Sequence, residues 1–168
     1  MEFTGRARRF GDHVNTDYII ASTRKRDTLD VSVLRQYLFE SVNPAFAASV
    51  RPGDVIVAGR NFGCGSAMEI AATVLVGAGI RAVAARSFAR SFFRNAINNG
   101  LLPIECDTAS IAEGDALAIA LTAAGAAVTD TTTGRTMTGA PLPDIMLDIL
   151  AAGGLVPYLR ARGRFAVG

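Results

Sequence analysis

Asp54-Val55-Ile56-Val57-Ala58-Gly59-Arg60-Asn61-Phe62-Gly63-Cys64-Gly65-Ser66-Ala67-Met68-Glu69-Ile70-Ala71-Ala72 is the stretch whose reading decides the fold. It begins with an apolar run of strand length, passes through glycines at 59, 63 and 65, and ends in helix formers. The pattern predicts a buried strand over residues 54–58, a glycine turn, and a helix over residues 68–76. A strand, a glycine turn and a helix in that order aim backbone N–H groups and one hydroxyl at a common point. No phosphate-loop lysine and no dinucleotide glycine spacing follows, so the turn does not point to a nucleotide. Ser66 has two readings. With Glu69 three residues later it makes a Ser-x-x-Glu capping box, worth about 1 kcal/mol of helix stability. Alternatively, its hydroxyl is presented to a ligand, but glycine-rich strand-to-helix turns are common and the local pattern by itself favours the cap. Cys64 stands beside the helix start, but the only histidine, His13, is in a distant segment, so a small residue packed in a tight turn is the simpler reading.

Outward from this stretch the same alternation repeats. Residues 80–85 read as another buried strand, Ser87 as the cap of a helix through Asn98 ended by Gly100, and residues 101–104 as a third strand. Strand, helix, strand, helix, strand with short links is the signature of parallel βαβ units. Upstream, residues 3–10 read as a strand and residues 18–20 as a short buried strand or turn. Ser22-Thr23-Arg24-Lys25-Arg26-Asp27 reads as a polar loop, and residues 31–39 as a helix closed by Asn43-Pro44. Downstream, residues 117–121, 126–129 and 135–138 read as an antiparallel meander, and residues 144–151 as a final helix stopped by Gly153-Gly154. The expected fold class is α/β: a parallel βαβ core with an added antiparallel β layer, in one domain spanning residues 1–168.

Composition narrows the function. Of the 168 residues 50% are hydrophobic and 19% charged, which describes a globule with a real core and argues against disorder. The net charge of +2 is too small to argue for nucleic acid, and Arg6, Arg8, Arg9, Arg160, Arg162 and Arg164 read as a solvated fringe. No apolar run has membrane-spanning length and the first residues lack a secretion signal, so a cytoplasmic home with no membrane contact is expected. Cys64 and Cys106 form no Cys-x-x-Cys pair, and two thiolates in one chain cannot hold an iron–sulfur cluster or a structural zinc. Any such metal would need a partner chain.

Taken together, Gly59-Arg60-Asn61-Phe62-Gly63-Cys64-Gly65-Ser66, Ala78-Gly79-Ile80, Ser87-Phe88-Ala89-Arg90, Phe93-Arg94-Asn95-Ala96-Ile97-Asn98-Asn99-Gly100-Leu101 and Gly153-Gly154-Leu155 resemble the small subunits of isopropylmalate isomerases, the swivel domain of the aconitase superfamily. Asn15-Thr16-Asp17 extends the likeness over nearly the whole chain. The resemblance implies a swivelling β/β/α fold and a hydro-lyase that isomerises a small hydroxy-acid by dehydration and rehydration, 3-isopropylmalate dehydratase of leucine biosynthesis. It further implies that this chain binds no cofactor or metal itself and works only with a large subunit carrying a [4Fe-4S] cluster. Ser66 would be the catalytic alkoxide base, with Gly63, Cys64 and Gly65 lining the substrate. A chain prepared without its large subunit would expose an apolar face and self-associate.

Two departures from the family pattern shape the alternatives. Where the family continues Gly-Ser-Ser-Arg-Glu-His, this chain has Gly65-Ser66-Ala67-Met68-Glu69-Ile70, which removes an arginine that grips a substrate carboxylate. The family's specificity loop follows the Ile19-Ile20 segment, and here it carries Ser22-Thr23-Arg24-Lys25-Arg26, in which Arg24 and Lys25 are candidate carboxylate ligands. The basic loop favours a homoaconitase or dimethylmalate-type dehydratase as the alternative substrate class. The lost arginine favours that alternative too, and Met68 together with Ile70 favours a non-catalytic paralogue. Arg90 and Arg94, one helical turn apart, are expected to do structural or interface work.

Overall fold

In chain order the elements are β1 (Glu2–Arg9), the short helices α1 (Thr16–Ile19), α2 (Arg24–Asp27), α3 (Val31–Leu34) and α4 (Phe46–Ser49), then β2 (Val55–Ala58), α5 (Glu69–Gly77), β3 (Ala82–Ala85), α6 (Arg90–Asn98) and β4 (Leu102–Glu105). The chain continues through β5 (Ala116–Thr122), β6 (Gly125–Asp130), β7 (Arg135–Thr138), α7 (Asp144–Ala151) and α8 (Leu155–Arg162). The structure is a computed structural model and describes residues 1–163. Arg164 lies outside the described residues.

All seven strands join one sheet in the order β4-β3-β2-β1-β5-β6-β7. β1 through β4 run parallel, and β5 through β7 continue the sheet antiparallel from the other side of β1. The antiparallel strands thus extend the βαβ half in the same hydrogen-bonded sheet. β2 and β3 are buried at every position, as parallel strands covered on both faces must be. Their side chains divide by alternation. Ile56, Ala58, Val83 and Ala85 enter a core with Phe39, Phe46, Phe62 and the inner faces of α3 and α5, whereas Val55, Val57, Ala82 and Ala84 enter a second core with Ile149, Leu150 and Tyr158 of α7 and α8. In β5 the alternation persists, Leu117, Ile119 and Leu121 facing that second core.

Several local readings change. α5 begins at Glu69 with Met68 at its N-cap position and no side-chain cap, so Ser66 is not its cap. Ser87 does not cap α6 either: Ala89 holds that position, while the Ser87 hydroxyl accepts the Asn61 N–H at 2.8 Å. In both cases a contact with another segment holds the chain extended ahead of the helix. Residues 18–20 fall at the end of a one-turn helix, and residues 24–27 wind into another instead of a loop. The helix expected over 31–39 shortens to α3 and a 3-10 turn, Arg35–Tyr37, because Phe39 adopts φ 54°. α8 was not legible: Gly153-Gly154 ends α7, but Gly154, at φ 127°, also opens a further helix. The N-terminal arginines are not a solvated fringe. Arg8, 5% exposed, and Arg6 both pair with Asp54, at 3.3 and 2.8 Å, and Arg8 also reaches Glu113 at 3.0 Å.

Candidate functional site

β2 ends at Ala58, and the chain then runs out of the carboxyl edge of the parallel strands into the glycine turn, where open α/β sheets place their ligand sites. Two segments distant in sequence grip the turn. On one side the Gly63 N–H donates to the Val14 carbonyl at 2.8 Å, and the Thr16 N–H donates to the Cys64 carbonyl at 2.8 Å. On the other the Phe62 N–H donates to the Ser87 carbonyl at 3.0 Å, and the Ala89 N–H donates to the Phe62 carbonyl at 2.9 Å. The turn is thereby the middle strand of a miniature parallel pairing, with bridges Asn15 to Cys64 and Phe62 to Phe88.

Glycine is required twice. Gly63 sits at φ 78°, where a Cβ would overlap the Phe92 side chain, and Gly65 at φ 88°, where one would overlap the Asn15 amide. Asn15 is itself held, its Oδ1 accepting the Asp17 N–H at 2.9 Å, and Asp17 Oδ1 accepts the Ser22 N–H at 2.8 Å. The Asn15-Thr16-Asp17 motif is therefore a clamp: α1 caps itself with Asn15 and offers Thr16 to the turn. Thr16, 1% exposed, donates its hydroxyl to the Ser66 carbonyl at 2.8 Å.

Ser66 emerges from this clamp exposed, and its hydroxyl has no hydrogen-bond partner among the described residues. The N–H groups of Gly65, Ser66 and Ala67, all exposed, likewise donate no hydrogen bond among the described residues. A free hydroxyl beside a row of free N–H groups, just ahead of the α5 N-terminus, favours negative charge at that point. Cys64 is half-buried in the turn; Cys106, at the end of β4, is buried, and burial together with Asp107 pushes its thiol up to about 11. Among the described residues no group of three or more His, Cys, Asp or Glu could hold a metal ion.

The basic segment divides. Arg24 gives two hydrogen bonds to the Glu40 carboxylate, at 2.9 and 2.8 Å, and its guanidinium lies 3.9 Å from the Tyr37 ring centroid. The hydrogen bond from Arg24 holds the Glu40 carboxyl below the usual carboxylate range. Lys25 instead extends to the turn, its Nζ 3.3 Å from Met68 Sδ. Met68 is 6% exposed and belongs to the first core. The structure thus holds Gly63, Cys64, Gly65 and Ser66 in one turn, brings Lys25 to Met68 just beyond it, and turns Arg24 toward Glu40. Sequence reasoning missed the hold of Thr16 on Ser66 and the hold of Ser87 on Asn61, contacts 50 and 26 residues apart with no local signature.

Around the turn lie Arg60, Arg90 and Arg94, all exposed and without an ion-pair partner among the described residues, and Arg86, whose one ion pair is to exposed Asp107 at 3.6 Å. Arg90 and Arg94 line a groove of about 300 Å³ with Phe88, Phe93, Glu105 and Met146. His13 is exposed at φ 55°, with its Nδ1 3.2 Å from Asn61 Nδ2.

Comparison with known proteins gives this geometry its family. Residues 21–109 match the aconitase C-terminal domain family. The chain is 45% identical to the 3-isopropylmalate dehydratase small subunit of Nitratidesulfovibrio vulgaris, over 96% of each chain. It is 45% identical to the isopropylmalate/citramalate isomerase small subunit of Methanocaldococcus jannaschii, over 94% of each. A crystal structure of 3-isopropylmalate dehydratase from the latter organism superposes with a TM-score of 0.91 at 44% identity, covering 97% of this chain and 96% of that one. This chain belongs to the family of 3-isopropylmalate dehydratase small subunits, with the aconitase C-terminal domain fold.

Proposed function

We propose that the chain is the small subunit of a hydro-lyase that isomerises 3-isopropylmalate in leucine biosynthesis, in the cytoplasm. The observation that carries this reading is the Ser66 hydroxyl, exposed and unspent at the end of a clamped glycine turn in a chain 45% identical to such subunits over nearly its full length. A serine that capped a helix would have its oxygen occupied; this one is free to act as a base. In the family reading, Ser66 takes the proton from the carbon next to the leaving hydroxyl. The adjacent N–H groups of Gly65, Ser66 and Ala67 stabilise the negative oxygen this requires.

The two cysteines of this chain do not fit a cluster: they lie far apart in sequence and one is buried with a raised thiol. The [4Fe-4S] cluster is placed on the large subunit, where it would supply a Lewis acid for the departing hydroxyl. The large subunit docks over the carboxyl edge of the parallel strands, against the exposed Arg60, Arg86, Arg90 and Arg94. Tyr18, Leu29 and Val33 are among the exposed large apolar side chains, at 48%, 71% and 38%, and a chain lacking its partner would self-associate through exposed apolar surface of this kind. Citramalate is the second substrate reading, favoured by the relative whose name joins it to isopropylmalate.

The test is Ser66→Ala in the reconstituted two-subunit enzyme. Because Ser66 caps nothing, stability should change by no more than about 0.5 kcal/mol. Turnover of 3-isopropylmalate, followed by the absorbance of the unsaturated intermediate, should disappear with the cluster still loaded. Retained turnover would overturn the assignment, and assay with citramalate decides between the two substrates.

A further inference from the structure

Ser66 and Glu69 spell a capping box, and in that motif the glutamate side chain reaches back to the N–H of the serine. The proposed function needs that N–H, with those of Gly65 and Ala67, for the negative oxygen of Ser66. In the structure the Glu69 carboxylate turns to another partner: its Oε1 accepts a hydrogen bond from Asn99 Nδ2 at 3.3 Å, across 30 residues of sequence. We propose that Asn99 is a positioning residue for the reaction, holding the Glu69 carboxylate off the N–H groups beside Ser66 so that they stay open to the oxyanion. This rests on the proposed function and names what keeps its site clear of a negative charge only three residues away.

Asn99 is itself fixed in place. It closes α6, and its Nδ2 also donates to the Asn95 carbonyl at 2.8 Å while its Oδ1 accepts the Thr73 hydroxyl at 3.2 Å. An amide has two donor hydrogens, so the one not spent on Asn95 is the one that reaches Glu69. The backbone is pinned as well. The Asn99 N–H donates to the Asn95 carbonyl at 3.1 Å, and Gly100 follows at φ 75°, where a Cβ would overlap the Gly153 carbonyl. Thr73 stands one turn after Glu69 on α5, its hydroxyl 3.2 Å from the Glu69 carbonyl, so the same threonine ties Asn99 to the turn that carries the carboxylate. Glu69 is exposed and has no ion pair among the described residues, which leaves Asn99 as its hold. An acid in the first turn of α5 favours the helix through its positive end. Held by Asn99, Glu69 keeps that benefit without occupying the N–H groups of Gly65, Ser66 and Ala67, which donate no hydrogen bond among the described residues. Removing one oxyanion donor costs about 100-fold or more in kcat, so a released carboxylate that occupies such a donor part of the time should cost about tenfold.

A double-mutant cycle in the two-subunit enzyme, assayed with 3-isopropylmalate, tests this. Asn99→Ala should lower kcat about tenfold, because it frees the carboxylate. Glu69→Ala removes the carboxylate together with its hold and should leave kcat within about twofold of the unmodified enzyme. The two substitutions combined should recover most of the turnover lost in Asn99→Ala, although the double variant melts no higher than Asn99→Ala does. A purely structural asparagine would give no such rescue. If Asn99→Ala does not assemble with the large subunit, Asn99→Ser takes its place in the same cycle. An unchanged kcat in the Asn99 variant, or a loss that persists in full when Glu69 is alanine as well, would overturn the proposal. Loss of turnover in Ser66→Ala with an unchanged kcat in Asn99→Ala would sink this inference alone, whereas turnover surviving Ser66→Ala would sink the function on which it rests.

Discussion

The Thr16 hydroxyl donates to the Ser66 carbonyl at 2.8 Å, across 50 residues of sequence. With the bond from the Thr16 N–H to the Cys64 carbonyl, one buried residue fixes the backbone on both sides of Gly65. Replacing it by valine keeps the shape, removes the hydroxyl and leaves the Ser66 carbonyl to solvent. Thr16→Val should cost about 1 kcal/mol of stability. It should also lower kcat of the assembled enzyme about tenfold or more, because the loss falls on the placement of the Ser66 oxygen. Denaturant unfolding and steady-state kinetics on the same preparation check both, and a kcat loss no larger than the stability change explains would place Thr16 in the scaffold only.

Gly65 has no room for a methyl group and stands at φ 88°. Gly65→Ala should destabilise the chain by about 1–3 kcal/mol through the left-handed backbone and the displaced Asn15 amide. Turnover should be lost even below the unfolding temperature, since the residue that moves is next to Ser66. Gly114 is the control: its φ is 87°, but a Cβ there meets nothing within 4 Å, so Gly114→Ala should show the backbone cost with no kinetic effect.

The Arg24 to Glu40 pair is partly exposed, its side chains 39% and 31% accessible. Breaking it with Glu40→Gln should therefore cost no more than about 1 kcal/mol of stability. Denaturant unfolding of both proteins measures it, and a larger loss would mean that the pair holds α2 more firmly than its exposure allows.

Asp54 gives the fold its acid sensitivity. Burial opposes its ionisation, but the hydrogen bonds from Arg6, the Arg51 N–H and Arg8 outweigh that and hold its carboxyl below the usual carboxylate range. A depressed folded value contributes stability that is present above the unfolded pKa of about 3.9 and lost as pH falls through the folded one. Unfolding free energy should drop below about pH 4, and Asp54→Asn should flatten that drop while lowering stability by about 3 kcal/mol at neutral pH. Thermal melts of both proteins between pH 3 and pH 7 measure it.

The parallel half of the fold was legible because its strands are short apolar runs, Val55-Ile56-Val57-Ala58 and Ala82-Val83-Ala84-Ala85, between glycines and helix formers. The pattern along the chain and the packing across it agree there. They disagree at the site. Ser66 and Glu69 satisfy a capping box in sequence, yet the helix starts at Glu69 because Thr16 and Asn15 draw the preceding residues into an extended pairing. Ser87 carries a local cap signature too, and its hydroxyl is spent on Asn61. Arg24 and Lys25 are neighbours in a basic run, and only the position of Glu40 and Met68 in space assigns them different work. α8 was hidden because a glycine pair reads as a stop, whereas Gly154 at φ 127° is also a start.

The place of β1 between the two halves of the sheet bears on how the chain reaches this state. Glu2 pairs with Ala120 and Arg9 with Val57, so the first strand made has its partners far behind it in the order of synthesis. The β2 to β4 segment has its pairings close in sequence and can form early, while β1 waits for both neighbours and closes the longest loops last. Refolding should therefore show β1 amides gaining protection after those of β2 and β3. Until then the edge of β2 stands open to the first strand of another copy.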